Sequence, residues 1–187
     1  MNPPFRIQPF VLTFLVVAVM ALAGLRVAQA APELSLDGDA KRALTALYES
    51  SPDAKALGAN AKAVLVFPGI QKIGLIFGAQ FGEGALFKDG TVIDYYRLIG
   101  VLGGLEAGIQ SFAYAVFFMS DAALEDMQAS SGFAIGTDPN IVIIDAGVGK
   151  EISTNNLQAD VYGYVFKQKG LMGGIALQGV KITRLGR

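Results

Sequence analysis

Leu157-Gln158-Ala159-Asp160-Val161-Tyr162-Gly163-Tyr164-Val165-Phe166 alternates without a break. Successive side chains of an extended chain point to opposite faces, so Leu157, Ala159, Val161, Gly163 and Val165 share one side and Gln158, Asp160, Tyr162, Tyr164 and Phe166 the other. A helix has no such two-residue period. The segment predicts a strand with one face packed inward and the other aromatic and partly polar.

Working outward, the same vocabulary recurs. Ile73 to Phe81, Gly84 to Phe87, Thr91 to Leu98, Leu105 to Met119, Ile141 to Asp145 and Gly174 to Thr183 all read as strands. Ala63 to Phe67 is a continuous apolar run that reads as a buried strand, ended by a turn at Pro68-Gly69. Lys88-Asp89-Gly90-Thr91 holds the Asp-Gly pair that a two-residue hairpin favours, because both central residues need positive φ. Helical spacing is confined to three places. From Asp39, Ala40, Ala43, Leu44, Leu47 and Tyr48 fall on one face; Ser51-Pro52-Asp53 starts a second, short helix that Gly58 is expected to stop; Ser120 caps a third through Gln128. The expected fold is α+β: a Gly-rich, strongly curved, mostly antiparallel and barrel-like sheet with flanking helices.

Glycine spacing admits other readings. Gly74, Gly78 and Gly82 stand four apart, as do Gly100, Gly104 and Gly108, a pattern that in apolar helices lets two backbones approach. Gln71, Lys72, Gln80, Glu83 and Glu106 interrupt those segments, and neither offers about twenty apolar residues in a row. On strands the same glycines mark bends and bulges, as a curving sheet requires. A phosphate-cradling loop would need a Gly-Lys-Ser/Thr ending, and there is none.

The first thirty residues have a different character. Arg6 precedes an apolar run of sixteen residues, Phe10 to Leu25, followed by Ala28-Gln29-Ala30. That is the layout of a secretory signal, and the run is short for a permanent span. Residues 1–30 are therefore expected to be cleaved, with 31–38 as a flexible tether and 39–187 as a single domain. An uncut membrane anchor is the rival. Residues 1–30 hold two of the fifteen basic residues and none of the sixteen acidic ones, which leaves the remainder at a net charge of −3. Such a chain is not a nucleic-acid binder by charge.

The chain contains no cysteine, histidine or tryptophan. Disulfides, thiolate ligands and the usual neutral-pH base are all missing, so no Ser-His or Cys-His arrangement is available. Glu125 and Asp126 are adjacent and diverge by about 100° on a helix. Asp94, within Asp94-Tyr95-Tyr96-Arg97, reads as a paired structural carboxylate. Asp138-Pro139-Asn140 with Asp145 lacks the spacing of a calcium loop. No catalytic residue, cofactor or metal ligand is assigned, and the chain is expected not to be an enzyme.

What remains is surface chemistry. Lys167, Lys169, Lys181 and Arg184 gather positive charge in the last twenty-one residues, close in sequence to Tyr162, Tyr164 and Phe166. Cations beside amphipathic rings suit an anionic headgroup region. Lysines also belong on strand edges, where they deter pairing, and the aromatic face is equally a place to dock a protein of the cell envelope.

The run Tyr162-Gly163-Tyr164-Val165-Phe166-Lys167-Gln168-Lys169-Gly170-Leu171-Met172-Gly173-Gly174-Ile175-Ala176-Leu177-Gln178-Gly179 resembles the signature of the SYLF domain family. Ala63-Val64-Leu65-Val66-Phe67-Pro68 with Lys72, Gly74, Gly78 and Gly84 is similar to its N-terminal block, and Gly104, Gly108, Gln110 and Ser111 to its middle one. The order is right, and the resemblance spans about Asp39 to Leu185. It departs at Gln178, where the family often has glutamate. The resemblance implies a lipid-binding module: eukaryotic members look like phosphoinositide-binding adaptors of endocytic membranes, and fungal ones are linked to actin. In an exported chain the implication reduces to an anionic phospholipid membrane surface. It also implies contact through the N-terminal helical region, where Lys41, Arg42, Lys55 and Lys62 match. The expected lipid-contact set is thus Lys41, Arg42, Lys55, Lys62, Tyr162, Tyr164, Phe166, Lys167 and Lys169, in a periplasmic or secreted protein that touches the envelope.

Overall fold

Asp89 and Gly90, at φ 51° and 76°, turn the chain between β2 (Phe77–Lys88) and β3 (Thr91–Gly103), with Lys88 opposite Thr91. This is the tight hairpin that Asp-Gly predicts, since both central residues occupy the left-handed region. The computed structural model describes residues 31–74, 77–103, 108–129, 133–135, 141–145, 159–170 and 180–186. The expected export signal, Leu157-Gln158, Asp138 to Asn140, Gly104 and the signature residues 171–179 lie outside them. The chain divides into two compact units, Met1–Ser35 and Leu36–Arg187, and the sheet and both cores belong to the second.

The remaining strands are β1 (Ala63–Gly74), β4 (Gly108–Phe118), β5 (Phe133–Ile135), β6 (Ile141–Asp145), β7 (Val161–Gly170) and β8 (Val180–Arg184). They make one curled sheet in the order β5-β8-β3-β2-β1-β4-β7-β6. Every pairing is antiparallel except β6 with β7. The α+β class with a strongly curved sheet is therefore what the chain adopts. At the two ends of the order stand a three-residue and a five-residue strand. Gly74, Gly78, Gly82, Gly100 and Gly108 all lie on strands, and no helix among the described residues is long and apolar enough to cross a membrane.

Pro68-Gly69 does not end β1. The strand runs on to Gly74, and the two residues form a bulge, with Phe67 opposite Tyr114 and Ile70 opposite Phe112. Since β1 lies between β2 and β4, a proline without an N–H fits there only where the ladder is already broken. A second irregularity sits level with it on the other side of β4. Phe166 pairs with Ala113 and Lys169 with Ser111, leaving Lys167-Gln168 opposite Phe112 alone, and Lys167 takes φ 53°. Two bulges side by side bend the sheet along one line.

Helices α1 (Ala31–Ser50) and α2 (Pro52–Asn60) cover one face on one side of that line. Ala40, Ala43 and Leu47 of α1, with Ala54 and Leu57 of α2, pack on Val66, Ala115, Phe117, Tyr162 and Tyr164. Helix α3 (Asp121–Ala129) sets Leu124 and Met127 against the opposite face, over a core that includes Leu65, Phe67, Leu98, Tyr114, Val116 and Ile182. Among the described residues the buried members of both cores lie between residues 40 and 182.

Local signals explain most boundaries. Ser51 Oγ accepts from Ala54 N at 3.2 Å and Ser120 Oγ from Ala123 N at 3.2 Å, the expected N-caps. Two expectations are corrected. The tether at 31–38 is helical, α1 beginning at Ala31 with Pro32 in a first turn where its missing N–H forfeits no bond. Gly58 does not stop α2, which continues to Asn60; it lies beneath Tyr48, whose Oη would come within 2.1 Å of any Cβ there.

Candidate functional site

The structure divides the nine residues singled out above into two kinds. Tyr162, Tyr164 and Phe166 are 2%, 2% and 5% exposed. They are core, which corrects the reading of an aromatic face open to lipid or to a protein partner. From Val161 to Phe166 both faces of β7 are buried, because α1 and α2 lie over the side that alternation assigned to the rings. Tyr162 Oη accepts from Ala159 N at 3.1 Å, and the Tyr164 ring meets Phe117 edge-on at 5.8 Å. Burial raises the Tyr164 pKa, and nearby Asp53 pushes in the same direction, with a Ser51 side-chain hydrogen bond opposing. The tyrosine thus docks the start of α2 rather than facing outward.

The six cations are all exposed. Arg42 and Lys167, far apart in sequence, line one cleft of about 400 Å³ with Leu36, Asp39, Pro68 and Glu83. The two bulges make this possible: the Pro68-Gly69 bulge opens the floor, and the positive φ of Lys167 places its backbone at the rim. Arg42 is ion-paired with Asp39 one helical turn away. Lys41 and Lys62 share a second cleft of about 380 Å³ between the helices and the Asp89-Gly90 turn, walled by Leu44, Tyr48, Val64 and Phe87. Lys62 Nζ lies 3.8 Å from Asp121. Lys55 and Lys169 line neither cleft.

Pairing decides which charges are available. Arg42 and Lys62 have carboxylate partners, and among the described residues Lys41, Lys55, Lys167, Lys169 and Lys181 have none. Arg184 is held by Asp94, whose side chain is 10% exposed and whose Oδ1 also accepts from Tyr95 N at 2.9 Å. Asp94 is thus the paired carboxylate expected from its setting. It stands beside Tyr96, whose pKa is pushed up to about 12, first by burial and then by the Asp94 charge, with Arg184 pulling the other way. No group of three or more potential metal ligands occurs among the described residues.

Sequence reasoning missed the feature that only pairing register shows. Ile73, Phe81, Ile99, Val101 and Ile109 are between 47% and 73% exposed, and they come from four different strands. Each looks unremarkable inside its own apolar run; the signal was present only as pairs of apolar residues two apart on β3 and single ones on its neighbours.

Residues 99–185, a little under half of the chain, match the family model Ysc84, described as Las17-binding protein actin regulator. The matched range contains the middle and C-terminal blocks of the resemblance and ends before neither. No curated protein matches the chain.

Proposed function

We propose that this chain, whose residues 99–185 match the Ysc84 family model, is a non-catalytic, exported domain that binds anionic phospholipid surfaces peripherally in the cell envelope. The observation that carries this reading is a group of exposed lysines without carboxylate partners: Lys41 and Lys55 on the N-terminal helices, Lys88 at the β2–β3 hairpin, and Lys167, Lys169 and Lys181 on the C-terminal strands. Unneutralised lysines near an anionic leaflet contribute about 1 kcal/mol each and are screened by salt. A few of them hold a domain reversibly, on a chain whose net charge is otherwise negative. The rival, docking of an envelope protein on Tyr162, Tyr164 and Phe166, has no surface to use, since all three are buried.

The test is co-sedimentation of residues 31–187 with phosphatidylcholine vesicles or with vesicles rich in phosphatidylglycerol, at low and high salt. Binding to the anionic vesicles alone, lost at high salt, is expected. Equal binding to both, or none to either, removes the reading.

A further inference from the structure

Beyond the two bulges no helix among the described residues lies over the sheet, and register arranges that half in layers. Near the strand ends runs the cross-strand row Val101, Ala79, Ile73 and Ile109, on β3, β2, β1 and β4, with Gly103 opposite Phe77 two residues farther out. Two residues inward, hence on the same face, runs Ala134, Lys181, Ile99, Phe81, Gln71, Ser111 and Lys169, a row that crosses seven strands and has Lys181 and Lys169 on either side of its middle four. Two further inward, Arg97 lies opposite Glu83 and is ion-paired with it at 2.7 Å. Then come Ala85 and the helices. The face grades from apolar, through apolar flanked by cations, to a neutralised pair.

We infer that this end of the sheet enters the outer layer of an anionic bilayer, with Val101, Ile73 and Ile109 leading and Lys169 and Lys181 at headgroup level. The inference rests on the phospholipid reading and assigns it a surface and an orientation. Two residues along a strand are about 7 Å, so the lysine row stands that far behind the leading row. Interfacial segments bury their apolar faces about 5–10 Å deep. Lysines at that height meet phosphate while their stems stay on apolar surface.

Charge argues for lipid over a second copy of the chain. A face-to-face pair would bring lysine rows together, and the one acid described on this part of the face, Glu83, is already held by Arg97. An anionic leaflet supplies the missing charge all around. The leading residues are also far from buried, Val101 being 73% and Ile109 64% exposed, and contiguous apolar surface of this kind marks an interaction site.

The chain has no tryptophan, so one introduced indole reports its own surroundings. Val101→Trp is placed at the leading row and Lys88→Trp at the hairpin end of β2, each in residues 31–187. With phosphatidylglycerol-rich vesicles, emission of Val101→Trp is expected to move to the blue and to be quenched when the acyl chains are brominated, while Lys88→Trp does neither. The double variant Ile99→Glu/Val101→Glu, with an unchanged circular dichroism spectrum, is expected to need at least about tenfold more lipid for half-binding, an effect of the order that losing two buried aliphatic side chains produces. If both tryptophan variants sediment with vesicles and neither is quenched, the phospholipid reading stands and this orientation falls. If neither sediments, both fall. A blue shift that needs no vesicles and grows with protein concentration assigns the face to a second copy and overturns the inference.

Discussion

Gly163 and Tyr114 meet at one point in the core. The Tyr114 hydroxyl lies 2.1 Å from where a Cβ on residue 163 would sit, and it has no hydrogen-bond partner among the described residues. Gly163→Ala must displace a fully buried ring, and a loss of about 2–4 kcal/mol is expected from overpacking of this severity. Tyr114→Phe removes a hydroxyl that makes no bond, so its cost stays within about 1 kcal/mol of zero. Combining them should recover part of the Gly163→Ala loss, and urea unfolding of the four proteins measures the coupling. Purely additive losses would mean that the ring moves aside freely. The same burial sets the alkaline limit. Tyr96 is pushed up to about 12 and Tyr114 upward by burial alone, against an ordinary value of 10.0. The unfolded chain therefore gives up these protons first. Their contribution is intact below pH 10 and is lost as pH rises from there through the folded-state values. Stability followed by denaturant midpoint from pH 8 to 12 should be level and then fall, with a shallower fall in Tyr96→Phe.

Elements whose signals are local were legible from residue order alone. Ser51-Pro52-Asp53 and Ser120 start helices where they should, because a capping hydroxyl acts within three residues. Asp89-Gly90 makes its hairpin for the same reason. What was not legible depends on partners elsewhere in the chain. Pro68-Gly69 carries every mark of a turn, and only the strands on both sides of β1 convert it into a bulge. Gly58 carries the mark of a helix stop, and only Tyr48 above it explains why it sits inside α2. The ring face of β7 followed the right period and was assigned the wrong surroundings. Alternation says which residues share a side, and not whether helices a hundred positions earlier in the chain will cover it. The lysines were found because charge needs no partner to be visible, whereas the bare apolar rows exist only through register.

At the scale of the molecule, polarity is sorted along the sheet. The helices and their cations Lys41 and Lys55 lie on one side of the bulge line, and the apolar rows with Lys169 and Lys181 on the other. If the second group lies at the headgroups, reversing it should cost more than reversing the first, although the change in net charge is identical. Lys169→Glu/Lys181→Glu is expected to raise the lipid needed for half-binding at low salt by at least about tenfold, since each lysine near the surface contributes about 1 kcal/mol. Lys41→Glu/Lys55→Glu should raise it less; vesicle sedimentation of the two pairs decides, and the opposite ranking would turn the domain over, helices toward the membrane. The margins of the sheet have a bearing of another kind. Its outermost strands are β5, of three residues, and β6, of five. A foreign strand arriving at either margin finds a template too short to hold it by backbone bonds. Crowding this protein on a membrane therefore raises its local concentration while these two margins give a foreign strand little backbone to pair with.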